Sequence, residues 1–502
     1  MYIAYDIKNG IEYAKLCTSK RDGTRTYKNY VNLGRVLDRN AGIFQNRERG
    51  IFTYDIESNT YGCAPPEIKP PAKEYKKELL IVDFGDAFFL DTFIRNSGLR
   101  VAIDAIGYGN PDTMKAMLAY YILCSMSNRY AQDWWEGSYA RILYPKASLS
   151  SQRISDFLAA IGDEYAQRDF FSEYLRFLDK SDNQTENVVI DSTGLPNSIH
   201  FPLTAISNHN GEISNEVRLI YVVQQNTGLP IYFRYCPGNV IDATTLTRCL
   251  AELKEQGINT KFAILDAGYY TEGNMQEFYA NKISFVTRLK ENLILYKELV
   301  AGHLGTLEYR ENLVEYNGRF VYLKCVDCKL GENSAYAYIG LDIARKSCES
   351  QKTFRRAKDR KLTNDQVYDA IQKQGVFILI SSCHISADEV LPLYYTRQQI
   401  EQIFDLGKNY ADMLPLRVRT EETFRGHLML TFIATIVLKK IQDAVKNTAI
   451  TPMSLFLNLR NQKCKVYKDK IITQEAFKKA NDCYKLFKIK CPIAINHESV
   501  CG

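Results

Sequence analysis

Residues 391–410 read LPLYYTRQQIEQIFDLGKNY, and the polar side chains of this stretch recur at helical spacing. Tyr394, Arg397, Glu401 and Lys408 are separated by steps of three, four and seven residues. Because a helix turns about 100° per residue, these steps keep returning to one side of it. The stretch therefore predicts a helix with one polar stripe. An ordinary amphipathic helix with a solvated side gives the same pattern, so the rest of the chain has to decide.

Apolar residues place this stripe beside a buried face. Leu393, Ile400 and Phe404 fall on a neighbouring stripe, which we expect to face a core. Pro392 lacks the N–H that the first turn of a helix does not use, so we predict that the helix begins there. The polar stripe would then follow the edge of the buried face.

The composition is that of a globular protein with large cores. The chain has 502 residues, 46% of them hydrophobic, which is enough for about three domains. We find no apolar run long enough to span a membrane and no evident signal peptide, and we expect a cytoplasmic protein. Thirteen scattered cysteines then indicate reduced thiols. For Cys325 and Cys328, positions on a strand explain the spacing better than a zinc site does.

The positive charge is concentrated near the C-terminus. The net charge is +6, and residues 460–490 contain ten Lys or Arg against three Asp or Glu. Such a segment fits contact with nucleic-acid phosphates. A solvated helical face is the alternative interpretation.

Changes of pattern divide the chain. Strands alternate with helices after a hairpin from residue 187 onward, which indicates an α/β sheet covered on both faces. A proline-rich stretch at 64–73 is interpreted as a linker. The predicted regions are 1–65 (small and β-rich), 75–180 (helical, a DNA-binding candidate), 186–290 (first part of the α/β domain), 291–388 (a β-rich insertion), 389–445 (second part of the α/β domain) and 446–502 (basic and helical).

Several residues in these regions have a structural and a functional interpretation. The helix predicted at 148–162 fits a helix-turn-helix reader of DNA or a plain core helix. We favour structural roles for Asn239 and Asp242 (turn and helix cap), for Trp134 and Trp135 (half-buried aromatics rather than base-stacking platforms), and for His427.

Three acids lie on elements that we expect to pack together. The apolar strands NVVIDST and KFAILDAGYY end at Asp191 and Asp266, and Glu401 lies on the helix quoted first. Asp191 and Asp266 could each simply cap the following turn. Carboxylates brought together repel one another unless cations are bound, and oxygen ligands suit Mg²⁺ or Mn²⁺. Two such ions can clamp the attacking and leaving oxygens of a phosphodiester.

The spacing Tyr-(2)-Arg-(3)-Glu-(6)-Lys, met by Tyr394, Arg397, Glu401 and Lys408, resembles the signature of bacterial insertion-sequence transposases of the DDE type, in the IS-four superfamily. Other stretches resemble blocks of that family in the same order. They are VVIDSTGLP (188–196), GLPIYFRYCPGNVIDATTL (228–246), ILDAGYYTEGN (264–274) and GHLMLTFIA (426–434).

The resemblance implies an RNase H-like catalytic domain interrupted by the β-rich insertion. Asp191, Asp266 and Glu401 would be the catalytic, metal-binding triad, with two Mg²⁺ (or Mn²⁺) ions when DNA is bound. It also implies that Tyr394, Arg397 and Lys408 handle DNA near the scissile phosphate. An arginine can grip a phosphate with two hydrogen bonds, and a lysine supplies a point charge.

The expected partner is double-stranded DNA, as the terminal inverted repeats of the element and as target, in a bacterial cytoplasm and associated with the nucleoid. Assembly on paired ends implies a homodimer in the DNA complex. Arg288, at the end of a strand near the triad, is a further DNA-binding candidate, although a surface arginine is the simpler interpretation. The alternatives are a metal-dependent nuclease without joining, a DNA-binding descendant without activity, and a structural oligomer with an acidic cleft.

Overall fold

The computed structural model describes residues 1–8, 11–23, 25–65, 80–180, 186–199, 202–209, 212–360, 363–467 and 470–496. The chain divides into two units, residues 1–78 and 79–502. Most of the predicted linker at 64–73 lies outside the described residues. Within the described ranges, none of the helices combines the length and the apolar composition that crossing a membrane requires.

The first unit is a six-stranded antiparallel sheet whose strands follow one another in chain order. Its apolar side chains gather on one face, where Ala14, Leu33 and Phe44 are fully buried. Alternation of inward and outward residues along each strand leaves the other face polar and aromatic. The strands are β1 (Tyr2–Lys8), β2 (Ile11–Asp22), β3 (Arg25–Asp38), β4 (Ile43–Asn46), β5 (Gly50–Asp55) and β6 (Thr60–Cys63).

The second unit begins with strand β7 (Leu80–Asp83) and seven helices. The helices are α1 (Gly85–Asn96), α2 (Arg100–Asp104), α3 (Pro111–Leu123), α4 (Ala131–Gly137), α5 (Ala140–Leu143), α6 (Ser151–Ile161) and α7 (Glu164–Lys180). Helix α6 buries Ile154, Phe157, Leu158 and Ile161, the face that its sequence pattern predicts. Trp134 and Trp135 on α4 are partly buried against the core, and the Trp135 indole donates to the Tyr144 carbonyl.

A ten-stranded mixed sheet forms the centre of the second unit. Its order is β11-β10-β8-β12-β13-β17-β16-β15-β14, with β9 beside β10. Strand β12 runs parallel to both of its neighbours, β8 and β13, and the other strand pairs are antiparallel. The strands are β8 (Asn187–Pro196), β9 (Ala205–His209), β10 (Glu212–Gln224), β11 (Pro230–Pro237), β12 (Phe262–Leu265), β13 (Ser284–Arg288), β14 (Leu313–Tyr316), β15 (Arg319–Leu330), β16 (Asn333–Asp342) and β17 (Val376–Ser381).

Helices pack between and after these strands. They are α8 (Asp242–Glu255), α9 (Glu272–Ala280), α10 (Ile294–His303), α11 (Ile343–Arg360), α12 (Asn364–Lys373), α13 (Ala387–Tyr395), α14 (Gln398–Tyr410) and α15 (Glu421–Val445). Helix α15 is buried along nearly its whole length. It is crossed by α6 at very close range, because a Cβ atom placed on Gly426 would lie 1.8 Å from the Leu158 carbonyl oxygen.

Residues 291–388 do not form a sheet of their own, unlike the separate β-rich insertion expected from the sequence. Strand β17 pairs with β13, with Val286 opposite Ser381, so strands β14–β17 continue the central sheet. Three helices also lie in this segment, and the basic stretch at 353–360 belongs to α11. Cys325 and Cys328 are on β15, opposite Tyr338 and Ala335.

The C-terminal region is mixed, which corrects the prediction that it is helical. It contains α16 (Pro452–Arg460), β18 (Lys463–Val466), β19 (Lys470–Thr473), α17 (Lys478–Leu486) and β20 (Ala494–Asn496). A second sheet of order β20-β19-β18-β7 joins it to the strand that opens the unit. Along β18, exposed Lys463 and Lys465 alternate with buried Cys464 and Val466. Part of the basic run is therefore the outward side of a strand.

His427 is buried on α15 as a structural residue. Its Nε2 atom donates to the Met413 carbonyl at 3.3 Å, and its Nδ1 atom accepts from the Tyr121 hydroxyl at 2.9 Å. Both ring nitrogens are used by the neutral ring, and burial lowers the pKa of His427 to about 4.

This depressed pKa makes folding sensitive to acid. The neutral imidazole is the folded form, so its contribution is complete above the unfolded pKa near 6.5 and is lost as pH falls toward 4. We expect the wild type to lose about 3 kcal/mol more stability between pH 7 and pH 4 than His427→Gln does. Urea unfolding at both pH values measures this difference. His384→Gln, at an exposed histidine, should keep the wild-type slope, and equal slopes in all three proteins would contradict the assignment.

Candidate active site

Two of the predicted acids occupy equivalent positions on neighbouring parallel strands. Residues 187–190 of β8 pair in register with residues 262–265 of β12. Asp191 and Asp266 each follow directly after these paired residues, so they occupy equivalent positions. Strand β12 ends there, whereas β8 continues to Pro196, paired with β10. Asp191 is therefore inside a strand rather than at its end, at the point where its neighbour on one side stops.

The signature residues lie on two helices instead of one. Helix α13 begins after Ser386 and runs through Pro392 to Tyr395, so the predicted start at Pro392 is wrong. Thr396 ends α13, and α14 starts with Arg397 as its N-cap residue. The Ser386 hydroxyl donates to the Glu389 carboxylate in the first turn of α13.

Arg397 connects the three acids, which we call the acid cluster (Asp191, Asp266 and Glu401). One terminal nitrogen lies 3.0 Å from Asp191 Oδ2 and 3.3 Å from Asp266 Oδ1. The other lies 3.2 Å from Glu401 Oε1, four residues further along the helix. Three carboxyl groups thus face a single guanidinium, which can balance at most one negative charge.

The acids differ in their environment. The side chain of Asp191 is 14% exposed, that of Asp266 38% and that of Glu401 57%. Burial raises the pKa of Asp191 to about 7, and the negative charge of Asp266 adds to this rise while Arg397 opposes it. Asp191 is held by the backbone N–H of Ser192, which donates to its Oδ1 at 2.8 Å.

The other predicted DNA-binding residues surround the cluster at different depths. Lys408 Nζ donates to Thr193 Oγ1 at 2.6 Å, and burial lowers the pKa of this lysine. Tyr394 is only 4% exposed, and burial raises its pKa. Arg288 is half-buried at the end of β13, close enough for its charge to act on Tyr394.

A polar network beside Asp191 was not anticipated from the sequence. Asp242 is the first residue of α8 and its carboxylate caps no helix; it accepts from the Ser192 hydroxyl at 2.6 Å and from Arg218 at 2.9 Å. Arg218 also contacts Glu216 at 3.2 Å. The signal that could have revealed this network is the presence of Glu216 and Arg218 at the start of the apolar run of β10.

A cleft of about 290 Å³ opens next to this network. It is lined by Asn239, Arg218, Asp242 and Lys290, among others. Asn239, for which the sequence favours a turn, thus borders open space beside the Asp242–Arg218 pair. The cleft provides room for a polar ligand next to that pair.

The acid cluster has the chemistry of a divalent-cation site. Its oxygen donors are those that Mg²⁺ and Mn²⁺ prefer, and the three carboxyl groups can carry more negative charge than the single guanidinium of Arg397 neutralises. In the part of the chain that the structure describes, no three acidic, histidine or cysteine side chains stand grouped tightly enough to hold a metal ion as placed. The carboxyl groups of the acid cluster converge on the guanidinium of Arg397 instead, which explains why they are not grouped around a metal position.

Comparison with known proteins identifies the class. A family model for the transposase DDE domain matches residues 183–437, half of the chain, and the chain therefore belongs to this family of transposases. The match contains the whole acid cluster. The family generally uses divalent metal ions and implies an enzyme that acts on DNA.

Other comparisons add little. No curated protein matches the chain. Among solved structures, the cryo-EM structure of a piggyBac transposase synaptic complex with hairpin DNA is similar, with 11% identity and a TM-score of 0.37 over 75% of this chain and 79% of that one. A likeness at this score supports no argument about the present chain.

Proposed function

We propose that the protein is an insertion-sequence transposase of the IS-four superfamily, with an RNase H-like catalytic domain. It binds the ends of its own element, cleaves a strand to release a 3′-hydroxyl, and joins that hydroxyl to target DNA. The observation that carries the proposal is the convergence of Asp191, Asp266 and Glu401, from two adjacent strands and a helix, on one point. We place the protein in the bacterial cytoplasm, at the nucleoid, as a homodimer when bound to DNA.

In this proposal the acid cluster holds two Mg²⁺ (or Mn²⁺) ions. Bound there, the ions would activate the attacking oxygen and stabilise the leaving oxygen of the phosphodiester. The chain itself supplies orientation: Ser192 fixes Asp191, and the Asp242–Arg218 pair fixes Ser192. Lys408 donates to Thr193, which lies two residues along β8 from Asp191. It supplies a positive charge for a phosphate.

The test uses purified full-length protein, a labelled duplex that carries the flanks of the native gene, and a target plasmid. We expect nicking at fixed positions and joining to the plasmid, both dependent on Mg²⁺ or Mn²⁺ and both lost in Asp266→Asn. Nicking without joining would favour the nuclease. Specific binding without either reaction would favour an inactive DNA-binding descendant.

We further propose that the outer face of the first unit helps to hold the DNA. Pairing of β2 with β1 and β3 places Lys15, Arg21 and Lys28 on the face opposite the core, together with Tyr2 and Tyr30. The two tyrosines are each 57% exposed, and the three cations have no ion-pair partner among the described residues. Unpaired cations beside exposed aromatic rings suit a phosphate backbone, and a β-ribbon fits the major groove.

Removing these cations should weaken end binding and its dependence on salt. For the triple variant Lys15→Gln, Arg21→Gln, Lys28→Gln, we expect roughly tenfold or greater loss of affinity at moderate salt. The slope of log K against log salt should become shallower by about 3, close to one unit per lost contact. Fluorescence anisotropy with the labelled end duplex measures both quantities.

A control variant with the same change in net charge distinguishes DNA binding at this face from a general effect of net charge. The triple variant Lys254→Gln, Lys282→Gln, Lys329→Gln removes three exposed lysines of the second unit. We expect its salt slope to stay near that of the wild type. Equal changes in the two triple variants would show that only net charge matters and would remove the outer face from the proposal.

A further inference from the structure

The guanidinium of Arg397 uses both terminal nitrogens to contact every member of the acid cluster. Its distances to Asp191, Asp266 and Glu401 are 3.0, 3.3 and 3.2 Å. The arginine side chain is 23% exposed, so solvent screens these contacts only in part. The guanidinium therefore fills the space that the three carboxylates share, which is also the space that a shared metal ion needs.

The position of Arg397 in its helix indicates that the acids, and not the helix, hold it there. Arg397 is the N-cap residue of α14. The N-terminus of a helix carries partial positive charge and disfavours a cation, while it favours Glu401 in the first turn. If the carboxylates were neutralised by a metal ion, Arg397 would lose its three partners and would be repelled by both the ion and the helix end.

An arginine cannot escape this conflict by losing its proton, because a guanidinium stays protonated in proteins. It has to rotate away, and its long side chain allows this without a change in the backbone. A DNA phosphate is the natural alternative partner, since a guanidinium binds phosphate with two parallel hydrogen bonds. Lys408 does not share this arrangement, because it is held by Thr193.

We propose that Arg397 is an internal counter-cation that competes with divalent metal for the acid cluster and leaves it when DNA phosphate binds its guanidinium. The inference rests on the proposed function and adds an order to it: metal binds weakly to the free protein and tightly to the DNA complex. Coupling between two ligands is reciprocal, so metal also strengthens DNA binding by the same factor. This competition keeps the acid cluster free of metal ions until DNA is bound.

The test measures Mn²⁺ binding to the full-length protein by electron paramagnetic resonance, without any reaction. For Arg397→Gln without DNA, we expect Mn²⁺ to bind about tenfold more tightly than to the wild type, within the range of ordinary coupling energies. Adding a duplex should tighten Mn²⁺ binding to the wild type and have little effect on the variant. Arg397→Lys, whose single ammonium cannot bridge three carboxylates, should lie between the two.

Two controls fix the interpretation. Arg345→Gln removes an arginine that contacts Glu349 and Glu291 elsewhere in the unit, and it should bind Mn²⁺ like the wild type. Asp266→Asn introduced into Arg397→Gln should abolish the tight site. Circular dichroism and thermal unfolding check that each variant is folded.

Equal or weaker Mn²⁺ binding by Arg397→Gln would overturn the inference. If the wild type still cleaves and joins DNA in that case, the proposed function stands and only the counter-cation role is removed. If no protein binds Mn²⁺, even with DNA, both the inference and the metal assignment fall.

Discussion

Glu401→Gln is expected to abolish strand cleavage and joining while leaving the protein folded. The amide has the same shape as the carboxylate, so helix α14 and its packing should be preserved. It lacks the negative charge that a metal-binding oxygen needs, and a lost metal contact of several kcal/mol corresponds to roughly a thousandfold slower reaction or more. Single-turnover cleavage of the labelled end duplex in Mg²⁺ measures the effect.

Asp405→Asn is the matched control, because it makes the same chemical change one turn further along the same helix. Asp405 is exposed and contacts Asn409 by hydrogen bond, away from Arg397. We expect cleavage by this variant to be within about twofold of the wild type, in line with the small effects of exposed substitutions. A comparable loss in both variants, or full activity in Glu401→Gln, would exclude Glu401 from the acid cluster's chemistry.

Gly426→Ala is expected to cost about 3 kcal/mol of stability, at the upper end of ordinary overpacking. A methyl group there would lie 1.8 Å from the Leu158 carbonyl oxygen, 2.5 Å from its carbon and 2.9 Å from its Cα. All three are backbone atoms, so no side chain can move aside, and α6 has to separate from α15. A lower urea midpoint measured by circular dichroism would report the change.

Gly273→Ala provides the comparison for this second prediction. Gly273 is on α9, and a Cβ atom there meets no other atom within 4 Å. Alanine is the better helix former, so we expect unchanged stability or a gain of up to about 1 kcal/mol. If Gly426→Ala were as stable as Gly273→Ala, the close crossing of α6 and α15 would be wrong.

Local sequence patterns were sufficient to anticipate which acids meet. Apolar runs that end in Asp191 and Asp266 indicate neighbouring strands, and helical spacing places Glu401 and Lys408 on one face of α14. The position of Arg397 was not predictable in this way. It depends on the break between α13 and α14 at Thr396, which the spacing alone does not reveal, since an uninterrupted helix satisfies the same steps.

Long-range strand pairing was the part that the sequence could not show. A short apolar run identifies β17 as a strand, but nothing in its residues selects β13 as its partner, so the sequence of 291–388 suggests a separate insertion. The partner of β18 is equally hidden, because Lys463 pairs with Asp83, which lies far away in the sequence. In β18 the basic residues also conceal the strand, because the excess of lysine and arginine over residues 460–490 does not show that Lys463 and Lys465 alternate with buried residues.

The pairing of β7 with β18 has a consequence for the gene as well as for the fold. Strand β7 leaves the ribosome long before its partner is translated, so the two strands can pair only after residues 463–466 have been synthesised. A premature stop codon between Glu401 and Lys463 would leave all of Asp191, Asp266 and Glu401 in the product, yet β7 would lack its partner strand. Such a product is a substrate for cellular proteases. We therefore expect a truncation in this interval to remove the protein even though the codons of all three acids are intact.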